Sequence, residues 1–325
     1  MTHRPPRPWS SPVTHSPTGP AVAGSGTPRS PEVCGVVLAA GEGQRLRPLT
    51  ATVPKALCPV GNLPLLDHAL RRLAGLGLLG PEDVAVNAAY LADQVVAYAT
   101  GRAHLSVEPD GPLGTSGGVA RLRKWIDGRG VLVGNADAYL ADPFRDPGRD
   151  IEALCDGWSG DTVRLLTKPC RPGEAGGFSG NRFAGFSLLP WRYVATLPDE
   201  HSDLVRTAWR PAEAEGALEL IGYEGHYLDT GTPSLYLEAN LHAAGAGLVD
   251  PSAEVTGTAT GSVVGAGAHV AGTATGSVVG AGAHVAGRIT RCVVWPGATV
   301  EPGEDLAEVI RAPGGLTVPA AGLGG

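Results

Sequence analysis

From Val33 the chain reads VCGVVLAA, a short apolar run rich in β-branched residues that breaks directly into a Gly-rich turn. Such a run predicts a parallel strand buried on both faces. From Pro64, PLLDHALRRLAGLG places Leu65, Leu66, Ala69, Leu70, Leu73 and Leu76 on one helical stripe, with Pro at its start and Gly at its end. Further strands are predicted at VAVN from Val84, HLSVE from His104, GVLVG from Gly130 and TVRLLTK from Thr162. Between them, YLADQVVAYA, GGVARLRKWI and DIEALCDGW have helical spacing. Strands alternating with helices imply βαβ units and a doubly wound, mainly parallel α/β sheet, whose ligands bind beyond the carboxyl ends of the strands.

The pattern changes near the C-terminus. Residues 257–271 and 272–286 are the same fifteen residues, GTATGSVVGAGAHVA, and GRITRCVVWPGATVE is a diverged third copy. Small residues at turns and regularly spaced Val predict a solenoid of stacked short strands. The pattern resembles the hexapeptide repeats of left-handed β-helices, whose regular triangular coil of three hexapeptides needs eighteen residues, so a fifteen-residue coil implies shortened corners or an irregular helix. No Asp, Glu, Lys or Arg occurs from Val255 to Gly287, and GSVVG offers a GxxxG spacing. Recurrent Gly among Thr, Ser and His gives weak hydropathy and poor helix propensity, which argues against a membrane span. His269 and His284 occupy equivalent points of the repeat, with no partner acid expected nearby, and read as coil-corner residues. The expected organisation is a disordered tail over 1–32, an α/β domain over 33–246, a repeat unit over 247–313 and a tail over 314–325.

Composition narrows the chemistry. A formal charge of −7 argues against a nucleic-acid surface. Five cysteines, odd in number and never paired as CxxC, suggest neither a disulfide framework nor a zinc site, which fits a reducing cytoplasm. The N-terminal residues lack the apolar core of a signal peptide. The informative segment is LAAGEGQRLRPLTATVPKALCPV, Leu38 to Val60. Leu38, Ala39, Ala40, Gly41 and Gly43 form a turn through which backbone N–H groups can approach phosphate oxygens, and Arg45 and Lys55 add positive charge. The segment is neither a GxxxxGK loop nor a complete GxGxxG, since Leu46 fills the third position.

This segment closely resembles the signature LAAGxGxRLxPLTxxxPKxLxPV of the sugar nucleotidyltransferases, the family that makes nucleoside-diphosphate sugars. Three later segments resemble the same family in order, so the likeness extends over about residues 33–244. The resemblance implies a Rossmann-like nucleotidyltransferase domain followed by a short hexapeptide-type β-helix. It implies transfer of a nucleotidyl group from a nucleoside triphosphate to a sugar 1-phosphate, with Arg45 and Lys55 stabilising the phosphates. GPLGTSGGV looks like the loop contacting base and ribose, which makes Gly114, Thr115 and Gly118 candidates there, with Glu108 a weaker one. Asp137, in VLVGNADAYL, and Asp229, in YLDTGTPSLYLEANL, are the implied Mg²⁺ ligands. A strand-end carboxylate suits that hard cation, although Asn135-Ala136 stands where the family usually shows Gly before the Asp. Lys168 and Gly185 are candidates for the sugar-phosphate side. The family uses such C-terminal repeats for association or regulation, so a homo-oligomer is one expectation. A non-catalytic subunit that binds a nucleotide sugar is the alternative; it is disfavoured by the presence of Arg45, Lys55 and both acids.

Overall fold

The computed structural model describes residues 32–320 except 172 and 174–176. The expected disordered tail therefore lies, apart from Glu32, outside the described residues. Seven strands form the central sheet: β1 (Val33–Leu38), β2 (Val84–Ala88), β3 (His104–Val107), β4 (Gly130–Asn135), β6 (Val163–Pro169), β7 (Asn181–Leu189) and β8 (Leu218–Gly222). Their order is β8-β6-β7-β4-β1-β2-β3. Only β7 runs antiparallel to its neighbours. Two further strands of this domain, β5 (Ala138–Ala141) and β9 (His226–Asp229), make a separate antiparallel ribbon.

Apolar residues on both faces explain the three-layer build. Along β1, Cys34 and Val36 face one core and Val37 faces the other. On the Val37 side pack α1 (Leu65–Gly75), through Leu66, Ala69 and Leu73, and α2 (Ala92–Ala99), through Val95 and Ala99. The opposite layer receives Val119 and Ala120 of α3 (Gly114–Arg121). The chain leaves β1 toward β2 on one side and returns to β4 on the other. The carboxyl end of β1 is thus a topological switch point, where such sheets open a crevice.

DIEALCDGW departs from its helical expectation: only Glu152–Leu154 form a single 3-10 turn. Tertiary bonds override the spacing. Asp150 accepts from Arg72 Nε at 3.0 Å and from Tyr223 Oη at 3.2 Å, while Trp158 Nε1 donates to Thr162 O at 2.7 Å. Arg72 also donates to the carbonyls of His68 and Leu140, so this buried ion pair ties α1 to ribbon strand β5. GGVARLRKWI forms two short helices meeting at Leu122.

Helix α4 (Pro233–Ala244) leads into the repeat unit. Each fifteen-residue coil carries strands of two, two and three residues on three faces, as in Val263–Val264, His269–Val270 and Thr273–Thr275. Register advances by one repeat per coil, as in Val263↔Val278 and Val278↔Val293, with Val264, Val270, Ala274 and Val279 buried inside. Two sequence readings are corrected here. Thr317–Pro319 pairs antiparallel with Val309–Arg311, so residues 317–319 close the stack rather than forming part of a tail. His269 does have an acid beside it: coil stacking sets Glu254 opposite, with Nε2 to Oε1 at 3.9 Å. All five cysteines are free, and among the described residues no helix is long and apolar enough to cross a membrane.

The Arg72–Asp150 pair generates a stability prediction. Removing one partner leaves a buried charge uncompensated, so Asp150→Ala is expected to cost roughly 3–5 kcal/mol. In thermal melts this corresponds to a drop of about 10 °C. The double variant Arg72→Met/Asp150→Leu should melt above Asp150→Ala, because it leaves no unpaired charge. A single variant within about 2 °C of the parent would show that the pair does not hold the ribbon.

Candidate nucleotide-binding site

The crevice at the end of β1 is a cavity of about 430 Å³. Its lining includes Leu38 at the end of β1 and Ala39, Ala40, Gly41 and Gly43 of the loop after it, with Arg45, Lys55, Gly114, Thr115 and Asp137. Three short 3-10 turns, Gln44–Leu46, Leu49–Ala51 and Lys55–Leu57, carry the chain around its mouth. Leu46 and Leu49 anchor the first two in the core, leaving Arg45, just before Leu46, exposed to solvent. Gly43 has φ of 61°, and a Cβ there would stand 3.0 Å from both Lys55 Cβ and Thr50 Cγ2. The bend of the loop and the seat of Lys55 therefore both depend on this glycine. Gly41 is different: a Cβ there meets no atom within 4 Å.

Three distant segments meet at Lys55. Its Nζ lies 2.7 Å from Asp137 Oδ2 and 3.7 Å from Asp229 Oδ1, and its side chain is only 10% exposed. Arg45 Nη2 approaches the other oxygen of Asp229 at 3.5 Å. The ribbon explains why the acids are neighbours. Ala138, which follows Asp137, pairs with Asp229, and Thr230 binds Asp137 O through both its N–H and its hydroxyl. Like charges held this close repel. Lys55 offsets that repulsion at the point where the two carboxylates converge.

The donor set fits a hard divalent cation. Asp229 Oδ1 is buried and accepts no hydrogen bond. Two carboxylates opening on this crevice suit Mg²⁺, which binds one or two protein carboxylates and takes its remaining oxygens from phosphates and water. No group of three or more His, Cys, Asp or Glu that could cage a metal occurs among the described residues.

The other sequence candidates lie at varying distances from this centre. Gly114, with φ of 74°, packs against Ser202, where a Cβ would sit 2.3 Å from the carbonyl oxygen. Thr115 Oγ1 accepts from Leu204 N, so its side chain holds the outer wall while the residue lines the cavity. Gly118 and Glu108 lie behind the lining and are buried. Gly185 packs on Ala138, beside Asp137 but outside the lining. Lys168 also lies outside it, donating to Gly225 O at 2.7 Å. Sequence reasoning passed over Asn87, Gln44, Pro112 and Gly231, all of which line the cavity, and gave Asn135 no role there. Asn87 had one available signal, a polar residue ending the apolar run VAVN. A second cavity, about 460 Å³, lies between α4 and the last coil, lined by His226, Glu238, His242, Arg291 and Glu308. It contains none of the signature residues, so its similar size does not make it the candidate.

Residues 35–162 match the MobA-like NTP transferase domain. An N-acetylmuramate alpha-1-phosphate uridylyltransferase of Neisseria meningitidis is 38% identical over 116 residues, 34% of this chain and 48% of that one. Its counterpart from Caulobacter vibrioides is 26% identical across 64% of this chain and 96% of its own length. A mannose-1-phosphate guanylyltransferase of Mycobacterium tuberculosis is 31% identical over 45% of this chain and 40% of that one. The chain thus spans about half or less of two of these curated relatives and nearly all of the third. The fold is shared with a Bacillus anthracis protein described as a glucose-1-phosphate thymidylyltransferase, with TM-score 0.55 and 18% identity over 65% of this chain and 95% of that one. The signature loop stands at the switch point of the sheet and within residues 35–162, the segment that matches the MobA-like NTP transferase domain, and the relatives it resembles are named as nucleotidyltransferases acting on sugar 1-phosphates.

Proposed function

We propose that the protein transfers a nucleotidyl group from a nucleoside triphosphate to a sugar 1-phosphate and releases pyrophosphate. The observation that carries this reading is the convergence of Lys55, Asp137 and Asp229 at the mouth of the glycine loop. An oxygen of the sugar 1-phosphate attacks the α-phosphorus. The new P–O bond forms as the bond from α-phosphorus to the bridging oxygen breaks, and pyrophosphate leaves with that electron pair. The attacking oxygen is already anionic near neutral pH, so no protein base has to remove a proton.

The work left to the protein is positioning and charge stabilisation. The loop from Leu38 to Gly43 receives the triphosphate, with Gly114 and Thr115 on the opposite wall toward base and ribose. Arg45, exposed and held by one long ion pair, is free to swing onto the departing phosphates. Lys55 keeps its charge fixed between the two acids. Asp137 and Asp229 would hold Mg²⁺, which supplies neutralisation of phosphate charge when bound. Lys168 and Gly185 are assigned to the sugar-phosphate side, on the flank of the ribbon that carries Asp229. The direct test is pyrophosphate release from five nucleoside triphosphates against a panel of sugar 1-phosphates. Release with none of them would overturn the proposal, and tight binding of a nucleotide sugar without turnover would favour a non-catalytic subunit.

Two sets of variants test the assigned residues. Asp137→Ala and Asp229→Ala should each lower turnover by roughly 100-fold or more while melting like the parent, as expected when a transition-state charge contact is lost. Pyrophosphate release at near-parent rate by either variant would remove that acid from the site. The two loop glycines should respond differently. Gly41→Val keeps the fold, because no protein atom obstructs it, but should weaken triphosphate binding about tenfold or more in calorimetry by filling ligand space. Gly43→Ala should lower both the melting temperature and turnover, since it strains the backbone and pushes on Lys55. Unchanged affinity in Gly41→Val would place the phosphate cradle elsewhere.

A further inference from the structure

From Asn87 in the cavity wall a buried polar chain runs into the interior, and the mechanism above does not use it. Asn87 ends the apolar run of strand β2 and Glu108 directly follows β3, the next strand in the sheet; the two residues are 1% and 2% exposed. Asn87 Oδ1 accepts from Ala39 N, in the phosphate loop, at 2.7 Å. Asn87 Nδ2 donates to Glu108 Oε1 at 2.7 Å, and Glu108 Oε2 accepts from Leu113 N, at the start of the opposite loop, at 2.8 Å. The order is therefore backbone, Asn, Glu, backbone, and it bridges the two loops that face each other across the cavity. Helix α3 closes over the bridge at Gly118, where a Cβ would stand 2.6 Å from Asn87 Nδ2 and 3.1 Å from Glu108 Oε1.

This arrangement is costly unless it serves a purpose. No ion pair among the described residues includes Glu108, and burying a carboxylate on hydrogen bonds alone costs far more than burying an apolar side chain of the same size. What the carboxylate provides is two acceptors with fixed directions. They orient the Asn87 amide, whose oxygen is thereby aimed at the first N–H of the phosphate loop.

We infer that Asn87 and Glu108 are positioning residues that fix the span between the phosphate loop and the loop at Leu113–Thr115, and so set affinity for the nucleoside triphosphate. The inference rests on the nucleotide reading of the cavity. Neither residue is required to touch the reacting phosphorus. Their effect belongs to KM for the triphosphate, not to KM for the sugar phosphate.

The chemistry of the bridge provides its own test. Asn87→Asp sets two carboxylates face to face and breaks the central bond. Glu108→Gln can satisfy only one of its two donors. Combined, N87D/E108Q restores every bond with the central one reversed. The amide introduced at position 108 donates to the carboxylate introduced at position 87, that carboxylate accepts from Ala39 N, and the amide carbonyl accepts from Leu113 N. Each single variant should raise KM for the triphosphate about tenfold, the size of one lost hydrogen bond to a charged group, with KM for the sugar phosphate within about twofold. The double variant should recover most of the loss. Gly118→Ala displaces Asn87 without changing any charge and should raise the same KM, which keeps the test open if Asn87→Asp folds poorly. Equal triphosphate KM in parent, Glu108→Gln and Gly118→Ala, with only melting temperature lowered, would overturn the inference, as would a double variant no better than the worse single one. An inactive parent protein would instead overturn the nucleotidyltransferase reading on which the inference rests.

Discussion

The ammonium of Lys55 between Asp137 and Asp229 is the contact on which the arrangement of this molecule turns. Two carboxylates brought together at the edge of a crevice repel each other, and the ribbon of β5 and β9 can hold them there only if a positive charge is set between them. Lys55 reaches that place because Gly43 lets the loop after β1 bend without a side chain in its path and because Leu46 and Leu49 sink the intervening turns into the core. One ion cluster thus ties together the signature segment, the end of β4 and the end of β9. These pieces are far apart in the chain and adjacent only in the folded domain.

The repeat unit supports the same cluster from behind. The hairpin Pro59–Val60 and Leu63–Pro64 follows Lys55 by a few residues, and its tip is held from two sides. Asn62 Nδ2 donates to Val279 O at 2.9 Å in the stack, and Gly61 N donates to Asn240 Oδ1 at 3.0 Å on α4. Tyr236, fully buried, donates to Pro59 O and accepts from Trp295 Nε1 at 3.0 Å. One apolar cluster runs without interruption from Leu46, Leu49 and Cys58 through α4 into Val264, Val279 and Trp295. Coils identical in sequence are therefore interchangeable in their stacking but not in docking. Trp295 occurs only in the diverged copy, and Val279 meets Asn62 where its repeat equivalents do not.

Behind the ribbon, three histidines add to this junction. His226 and His242 stack at 4.0 Å between centroids, His242 Nδ1 bonds Tyr139 Oη at 3.0 Å, and His68 meets the Tyr139 ring edge-on. Burial holds all three below the usual imidazole range, with His68 lowered to about 4. A group whose folded pKa is depressed contributes its stability above its unfolded pKa and loses it as pH falls. For His68 that window runs from about 6.5 down to about 4. The face of the ribbon opposite the acids is therefore built to stay neutral near pH 7.

Much of this was determined by the sequence alone, and the reason is locality. β1, α1 and the coils are each specified by residues close in the chain: a run of β-branched residues, a 3.6-residue stripe, a fifteen-residue identity. The signature residues from Leu38 to Lys55 are legible for the same reason, since loop, turns and lysine follow one another. DIEALCDGW had helical spacing yet made a single turn, because Arg72, Tyr223 and Thr162, all outside the segment, claimed Asp150 and Trp158 at its two ends. Only the tertiary structure decided that Asp137 and Asp229 share one lysine, that Thr317–Pro319 closes the stack, and that Glu254 stands beside His269. Asn87 and Glu108 follow the same rule. Neither residue type nor spacing reveals that one side chain links the loop after β1 to the other, since that depends on β1, β2 and β3 lying side by side, an order set by the packing of three layers and not by neighbours in the chain.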